Sequence, residues 1–210
     1  MPVKLNDREY RRIYTAMETR AEEDGGLYVT GYATTYNQPY TLYEDDKCRI
    51  DEQVDPKAFD ECDLRDVIMQ YDHEGRVFAR TKNGTLQLMS DEHGLRITAR
   101  LDGTDIGRQL YQEISGGYTD KMSFGFTVAR DDKTRTKDEE TKKVIVLRTI
   151  TKIGKLYDVS AVSLPANDAT EISARNLSEG VAAEIAEEIR ADEERERARQ
   201  RIRLMLEMDE

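Results

Sequence analysis

The sequence predicts a mainly β protein with a few peripheral helices, followed by a charged helical tail. From Arg12 to Ala166, short segments of alternating apolar and polar residues are separated by turn residues, which is typical of half-buried strands. After Pro165-Ala166 the chain becomes strongly charged. A chain of 210 residues fits one ordinary domain with some tens of residues left over, so we expect a body over residues 1–175 and a tail over residues 176–210.

Glycine-bearing turns predict two β-hairpins in the body. Asp24-Gly25-Gly26 and Asn83-Gly84 each stand between alternating segments, and glycine accepts the positive φ of a tight turn without a Cβ clash. In Leu95–Leu101 every second residue is apolar, which makes this segment the clearest strand in the chain. The paired segments of the two hairpins are Arg12–Ala21 with Leu27–Tyr36, and Arg76–Thr81 with Thr85–Met89.

Two helices are predicted inside the body. Asp55-Pro56 combines an N-cap residue with proline at the first helical position, which predicts a short helix through Phe59. Thr104 is suited to cap a longer helix, which Gly116-Gly117 would end. The apolar residues of the longer helix recur every four positions, at Ile106, Leu110 and Ile114.

Two charged segments are expected to lie outside the core. Arg130–Lys143 contains six basic and five acidic residues and no large apolar residue, so we expect a mobile loop between strands. Ser178–Glu210 carries 11 acidic and six basic residues, with Val181, Ile185 and Ile189 at helical spacing. Two interpretations of this helical tail stay open: a solvated helix packed weakly on the body, or a handle for a partner helix.

The net charge disfavours two classes of partner. Acidic residues number 43 and basic residues 32, and the resulting charge of −11 would repel phosphate backbones and anionic lipid heads. No segment approaches the roughly 20 apolar residues that a bilayer crossing needs, and the first residues lack the apolar block of a secretory signal. We therefore expect a soluble intracellular protein that binds neither nucleic acid nor membrane.

The cysteines give no sign of a disulfide framework or a metal site. Cys48 and Cys62 lack CxxC spacing, so we expect two reduced thiols. A zinc site built from both cysteines with His73 and His93 is disfavoured, because the gaps between the four residues match no compact zinc motif. No cofactor or metal is expected.

The segment most informative about function is Lys121–Val128. As a strand it places four apolar residues on the core face: Met122, Phe124, Phe126 and Val128. Ser123 and Gly125 then lie on the other face. Because Gly125 has no side chain, we expect bare backbone beside the Ser123 hydroxyl and room for an extended peptide. An ordinary exposed serine on an amphipathic strand is the alternative interpretation.

A serine hydroxyl becomes a good nucleophile only when a base removes its proton, and near neutral pH that base is usually histidine. His93 lies in a polar turn that ends in glycine and is most simply solvated. His73 follows the largely apolar segment Val67–Asp72 and is well placed to face a cleft. His73 is therefore the better candidate base, although a structural histidine at a strand end is the commoner case.

A third group must accept the proton on the other ring nitrogen of the histidine and fix its tautomer, and this group is ordinarily a carboxylate. Asp158 stands in the otherwise neutral strand Leu156–Leu164, where an ionised side chain costs free energy unless it is paired. A carboxylate satisfied by backbone amides at a strand edge is the alternative. Asp72 is a weaker candidate, because neighbouring strand residues point to opposite faces.

Several of these motifs together closely resemble the prohead serine protease family of tailed bacteriophages, over roughly Arg12 to Thr170. The Met-Ser-Phe-Gly-Phe segment around Ser123 is the most specific element, and the Asp-Val-Ser segment at Asp158 is moderately specific. The other elements are Gly31-Tyr32-Ala33, Asp72-His73, Arg80–Leu86, Asp91 with Gly94-Leu95, and Pro165-Ala166.

The resemblance implies a fold like the herpesvirus assemblin protease, a closed and mostly antiparallel β-barrel with a few surrounding helices. It implies a serine endopeptidase with Ser123 as nucleophile and His73 as base, and with Asp158 as the third member. Assemblins use a second histidine in that place, but His93 precedes the serine in a turn and is not assigned the role. Backbone N–H groups of Ala166 or Asn167 are candidate donors to the oxyanion.

The resemblance also implies the biological setting. The substrates would be the scaffold, or its equivalent fused to the major capsid protein, and the protease's own tail. Those proteins would be its partners, with self-association as a further possibility, and its place would be the immature capsid in the host cytoplasm. Deletion of Ser178–Glu210 is expected to prevent encapsidation if the tail binds scaffold helices.

Three rival functions stay open at this stage. The first is a non-catalytic capsid or scaffold component that keeps the protease fold as an interaction module. The second is a cysteine hydrolase that uses Cys62 with His73. The third is a glycosidase with paired carboxylates, which is disfavoured because no acidic pair stands in a distinctive setting.

Overall fold

The computed structural model describes residues 7–13, 16–162, 180–191, 194–195 and 197–201. Within these residues the protein is mainly β with few helices. The strands are β1 (Arg8–Ile13), β2 (Glu18–Ala21), β3 (Leu27–Thr35), β4 (Tyr40–Glu44), β5 (Cys48–Val54), β6 (Ile68–Tyr71), β7 (Glu74–Arg80), β8 (Leu86–Ser90), β9 (Gly94–Arg100), β10 (Lys121–Lys137) and β11 (Val144–Val162). Helix α1 spans Asp105–Ser115, and helix α2 spans residues 180–191.

The strands form two sheets. The larger sheet has seven strands, with β1, β10, β11, β5 and β4 side by side in that order. The edge of β11 opposite β10 has two parallel partners: Val144–Ile150 pair with β5, and Asp158–Ala161 pair with β6, which also pairs with β7. The smaller sheet has the order β2, β3, β9 and β8, and all its pairs are antiparallel.

The predicted closed barrel is not found among the described residues. Pairing in the larger sheet ends at β1, β4 and β7, and pairing in the smaller sheet ends at β2 and β8, so neither sheet closes on itself. The main apolar core includes residues of both sheets and of α1, among them Phe124, Ile97 and Leu110. Burial of these side chains holds the two open sheets together without a continuous ring of hydrogen bonds.

The amino-terminal hairpin is confirmed over a shorter range than predicted. Strands β2 and β3 are antiparallel across the turn at Gly25, whose φ is +86°. The chain before residue 14 is not part of this hairpin, because β1 pairs with β10 in the other sheet. The segment Arg12–Ala21 is therefore not one strand.

The second predicted hairpin is wrong in its pairing. The turn itself is present: Thr81–Asn83 form a 3₁₀ turn, and Gly84 has a φ of +77°. The strands that flank it separate, because β7 pairs with β6 in the larger sheet and β8 pairs with β9 in the smaller one. The turn thus connects the two sheets.

One predicted helix is confirmed and the other is replaced by turns. Helix α1 begins after Thr104, whose hydroxyl accepts a hydrogen bond from the Gly107 N–H at 3.1 Å. The segment after Asp55 forms consecutive turns: the Ala58 and Cys62 N–H groups each donate to the carbonyl three residues before them, and the Ala58 carbonyl accepts from Ile153 on β11 at 2.8 Å.

The prediction of a mobile loop at Arg130–Lys143 is wrong. Strand β10 continues to Lys137 and pairs with β11 from Val144 onwards, so only residues 138–143 form the connecting turn. Ladder hydrogen bonds use backbone groups and do not require apolar side chains. The charged segment therefore forms one strand of a long two-stranded extension.

The carboxy-terminal helix α2 packs on the body through an apolar face. Val181 and Ile185 are buried against Cys48, Ile50 and Val146 on β5 and β11. The Glu188 carboxylate accepts hydrogen bonds from the Arg135 guanidinium at 2.7 and 2.8 Å. The apolar face predicted from the spacing of Val181, Ile185 and Ile189 thus packs against the body of the same chain. The boundary predicted at residue 175 falls outside the described residues.

None of the helices in the described part of the chain is both long and apolar enough to cross a membrane.

Candidate active site

Strand β10 carries Ser123 on the face predicted from the alternation. Met122, Phe124, Phe126 and Val128 are fully buried in the main core. Ser123 lies on the opposite face, between Arg12 of β1 on one side and Ser160 of β11 on the other. The residue is nevertheless fully buried, so it is not an exposed serine.

His73 is held in the two-residue turn between β6 and β7. Asp72 and His73 have φ values of 48° and 61°, and Tyr71 pairs with Glu74 across the turn. Aspartate and histidine tolerate this left-handed conformation better than most residues. The Asp72 N–H donates to the Ala161 carbonyl at 3.1 Å, which ties the turn to β11. The turn thus fixes the histidine ring beside the strand that carries Asp158.

Asp158 lies on β11 directly opposite Gly125 of β10. Its side chain is fully buried. The His73 Nδ1 lies 2.5 Å from the Asp158 Oδ2, and the His73 Nε2 lies 2.5 Å from the Ser123 Oγ. The structure therefore brings together the hydroxyl, the imidazole and the carboxylate that the sequence predicts, from strands β10 and β11 and from the turn between β6 and β7.

The ionisation of Asp158 decides which tautomer His73 adopts. Burial raises the pKa of Asp158, but the hydrogen bond and charge of His73, the charge of Arg8 and the hydrogen bond from Ser160 outweigh burial and lower the pKa below its ordinary value. An ionised Asp158 only accepts hydrogen bonds, so the proton at the shared contact is on the His73 Nδ1. In the neutral ring the Nε2 then has a free lone pair, to which the Ser123 hydroxyl donates.

The remaining hydrogen bonds complete the arrangement. The Ser160 hydroxyl donates to the Asp158 Oδ2 at 3.0 Å, and the Arg8 guanidinium donates to the Asp158 Oδ1. The Arg11 carbonyl lies 3.0 Å from the Ser123 Oγ and is a second acceptor for the serine proton. Both carboxylate oxygens are therefore satisfied within a site that is almost completely buried.

The open backbone predicted beside Ser123 is not present. A Cβ atom placed on Gly125 would lie 2.4 Å from the Asp158 Oδ1 and 2.7 Å from the Tyr10 ring. The missing side chain therefore leaves space for the carboxylate and the tyrosine of the site itself. Because β1 and β11 already occupy both edges of β10 at Ser123, a peptide strand cannot pair with β10 at this position.

Sequence reasoning did not find the contribution of β1. Arg8 contacts Asp158, and the Tyr10 ring packs edge-on against the His73 ring with centroids 4.5 Å apart. The available signal was weak, since Arg8 and Tyr10 stand in a charged segment that resembles an exposed end of the chain. Ser160 could have been found, because it stands two residues after Asp158 and so shares its face.

The other candidates lie elsewhere. His93 is an exposed turn residue near Tyr32, with ring centroids 6.3 Å apart. Cys48 is buried beneath α2. Ala166 and Asn167 lie outside the described residues, so their assignment as oxyanion donors stays a prediction. Among the residues that the structure describes, no three histidine, cysteine or acidic side chains are grouped to hold a metal ion.

Comparison with known proteins gives a family and a similar solved structure. No protein with a curated description matches the chain. The structure of the bacteriophage T4 capsid assembly protease, gp21, is similar over 75% of this chain and 99% of that chain, with 14% sequence identity and a TM-score of 0.40. That likeness is too low to carry an argument about the site. The sequence pattern described as caudovirus prohead serine protease matches residues 15–183, which is most of the chain. This protein therefore belongs to the caudovirus prohead serine protease family.

Proposed function

We propose that the protein is a serine endopeptidase of phage capsid maturation, with Ser123 as nucleophile, His73 as general base and Asp158 as the carboxylate that orients the base. Membership of the prohead protease family supports a capsid maturation protease. The observation that carries the residue assignment is the chain of two 2.5 Å contacts from the Ser123 Oγ through the His73 ring to Asp158.

The proposed reaction is acyl transfer in two steps. His73 Nε2 takes the Ser123 proton as Oγ attacks the peptide carbonyl carbon, and Asp158 stabilises the imidazolium that forms. His73 then gives the proton to the leaving amine as the peptide bond breaks. Water attacks the acyl-serine ester with His73 again as base, which releases the new carboxyl end and restores the hydroxyl.

The oxyanion and the substrate path complete the proposal. A backbone N–H of Ala166 or Asn167 is the proposed donor to the oxyanion, because Pro165 has no N–H. Ser123 is fully buried in this structure, so acylation requires the site to open. Opening on arrival of a substrate is a common feature of enzymes that exclude water from their reaction.

A cysteine mechanism is less well supported than the serine mechanism. Burial raises the pKa of the Cys62 thiol to about 11, which keeps it protonated near neutral pH. The two ring nitrogens of His73 are hydrogen-bonded to Ser123 and Asp158, so no nitrogen is directed at a thiol. Activity that resists thiol alkylation would exclude the cysteine mechanism.

The proposed substrates are the scaffold, or a scaffold-like segment of the major capsid protein, and the tail of the protease itself. In the tail, α2 is held on the body by a small apolar cluster and by an exposed ion pair, and the ion pair adds little to the free energy of holding it there. A tail that leaves the body would present the same apolar face to scaffold helices. Deletion of residues 178–210 is then expected to abolish encapsidation.

The test compares the full-length chain with Ser123→Ala and His73→Ala. We expect the wild type to be trimmed during expression and to be labelled at Ser123 by a fluorophosphonate, which reacts with activated serines. Both variants should lose both signals, because removal of a triad member lowers the rate by about 10⁶-fold. Mass spectrometry of the intact chain and of its peptides measures trimming and labelling.

Ser90→Ala is the matched control. Ser90 is also a strand serine with a hydrogen-bonded hydroxyl, 2.7 Å from the Tyr36 hydroxyl, but it lies in the other sheet. This variant should be trimmed and labelled like the wild type. Identical trimming in all variants, together with no labelling of Ser123, would overturn the proposal in favour of a non-catalytic capsid component.

A further inference from the structure

Strand β1 contacts all three members of the proposed triad. Its residues Arg8, Tyr10 and Arg11 touch Asp158, the His73 ring and the Ser123 hydroxyl, respectively. The strand spans Arg8–Ile13, and the family match begins at residue 15. The contacts from β1 are therefore a property of this chain that the family match does not cover.

The Arg8 guanidinium has a built position at the site. Its central carbon lies 4.9 Å from the centre of the Tyr10 ring and 4.7 Å from the centre of the Tyr157 ring. Contacts of a cation with two aromatic faces restrict the guanidinium to one location. From there it donates to Asp158, whose side chain is fully buried.

The two oxygens of Asp158 have different partners. Oδ1 accepts from Arg8, and Oδ2 accepts from His73 and from Ser160. If Oδ1 had no partner, the buried carboxylate would gain free energy by rotating until His73 or Ser160 shared that oxygen. The contact with Arg8 removes this tendency and leaves Oδ2 directed at the histidine.

The opposite face of β1 keeps the strand in place. Glu9 and Arg11 point into the protein and are buried in ion pairs with Arg148 and Glu52, respectively. Displacing β1 would leave these buried charges unpaired, which is strongly unfavourable. Arg8 is therefore carried by a firmly held strand rather than by a loose end of the chain.

We propose that Arg8 is a positioning residue of the active site, which orients the Asp158 carboxylate so that it holds His73 in the geometry that deprotonates Ser123. This inference rests on the proposed function. Arg8 acts through Asp158 and His73 and does not touch the reacting atoms. Its substitution should therefore change the rate of the chemical step more than the binding of the reagent.

The test uses the full chain with Arg8→Met, Arg8→Lys and a matched control, Arg100→Met. Arg100 also pairs with an aspartate and lies over a tyrosine ring: its Nε donates to Asp102 at 2.7 Å, and its central carbon lies 5.8 Å from the Tyr28 ring centre. The pair lies in the smaller sheet, away from the site. Arg100→Met therefore shows the effect of losing an arginine that pairs with an aspartate and a tyrosine ring, while the contact between Arg8 and Asp158 is kept.

The first measurement is the kinetics of inactivation by a fluorophosphonate. We expect Arg8→Met to lower the maximal inactivation rate by up to about 10²-fold, because small displacements of catalytic groups have effects of that size. The half-saturating concentration of the reagent should change little. Arg8→Lys should recover part of the rate, since it restores a positive charge and a donor, and Arg100→Met should match the wild type.

The second measurement is the low-field proton resonance of the His73 Nδ1–H in the NMR spectrum, recorded in a Ser123→Ala background to prevent trimming. His73→Ala assigns the resonance, because the chain has only two histidines. We expect the resonance to shift or broaden in Arg8→Met and to be unchanged in Arg100→Met. A role of Arg8 in stability alone would not move it.

The outcomes separate the two proposals. If the wild type shows no labelling at Ser123, the proposed function fails, whereas the resonance still reports whether Arg8 orients the carboxylate. If Arg8→Met leaves both the inactivation rate and the resonance unchanged, the positioning role is overturned while the proposed function stands.

Discussion

Two carboxylates of this protein, Asp158 and Glu52, are equally buried but differ in the side chains that donate hydrogen bonds to them. Each is fully buried, and each accepts a hydrogen bond from an arginine of β1, Arg8 for Asp158 and Arg11 for Glu52. The two arginines lie on opposite faces of the same strand, so β1 serves the site with one face and the interior with the other.

The remaining partners make the difference. Glu52 also accepts from Arg148 at 2.6 Å and from the Tyr40 hydroxyl at 2.6 Å. Burial, together with the negative charge of Glu52, raises the pKa of Tyr40 well above its usual value, and the arginines stay protonated, so none of these groups exchanges a proton near neutral pH. Asp158 instead has His73 as partner, and the second ring nitrogen of His73 contacts the Ser123 hydroxyl. The identity of one partner thus separates a structural carboxylate from one suited to catalysis.

The largest effect that this comparison predicts is on activity, from Asp158→Asn. The amide keeps the size of the side chain but cannot stabilise the imidazolium, and it favours the wrong tautomer of His73, so the rate of Ser123 labelling should fall by about 10⁴-fold. The melting temperature should change little, because Arg8 is 37% exposed and water already solvates part of its charge. A variant that labels normally would remove Asp158 from the proposed triad.

The next effect is on stability, from Glu52→Gln. This change removes the negative charge that pairs with both buried arginines, Arg11 and Arg148. Loss of one partner of a buried ion pair lowers the free energy of unfolding by about 3–5 kcal/mol. Urea unfolding measures the loss. Glu188→Gln, which alters an exposed pair with Arg135, should cost little or nothing. Labelling of Ser123 per folded molecule should be retained in both variants.

The same comparison makes a prediction about acid. Burial raises the pKa of Glu52, but the charges of Arg11 and Arg148 outweigh it and lower the pKa from 4.5 to about 2. A carboxylate with a lowered folded-state pKa stabilises the fold fully above its unfolded pKa, and this contribution is lost as the pH falls through the folded pKa. The wild type should therefore lose stability between about pH 4.5 and 2 more steeply than Glu52→Gln. If stability fell equally steeply with pH in the wild type and in Glu52→Gln, the loss of stability in acid would not come from Glu52.

The smallest expected effect comes from Gly125→Ala, which tests whether the site needs the space that glycine leaves. The added methyl group would overlap Asp158 and Tyr10, so we expect labelling of Ser123 to slow by about 10²-fold. Gly103→Ala is the control, because a Cβ there meets no atom within 4 Å and the backbone has no positive φ. Equal rates in the two variants would show that the carboxylate is not fixed by its contact with Gly125.

Period-two alternation was enough to predict the strands at Lys121–Val128 and Leu95–Leu101, and a capping threonine with four-residue spacing was enough for α1. Alternation failed for β1, because there the inward positions are Glu9 and Arg11. A pattern of apolar residues cannot identify a core-facing strand whose inward charges neutralise each other.

The sequence also predicted the three residues that meet at the site, but not their surroundings. Ser123, His73 and Asp158 stood out through their residue type and their local segments. The role of Gly125 depends on the register between β10 and β11, which places it opposite Asp158. Register is set by pairing between residues far apart in the sequence, and local alternation does not reveal it. The space beside Gly125 was therefore predicted to be open for a peptide, whereas the Asp158 carboxylate fills it.

The position of α2 over Cys48 gives the molecule an internal reporter. The thiol is 1% exposed and packs beneath Val181 and Ile185, so a thiol reagent reaches it only when the helix lifts. Cys62, in a different part of the fold, is partly exposed and serves as the reference for a thiol that α2 does not cover. The ratio of the two alkylation rates therefore measures detachment of the tail directly, in an otherwise unlabelled protein.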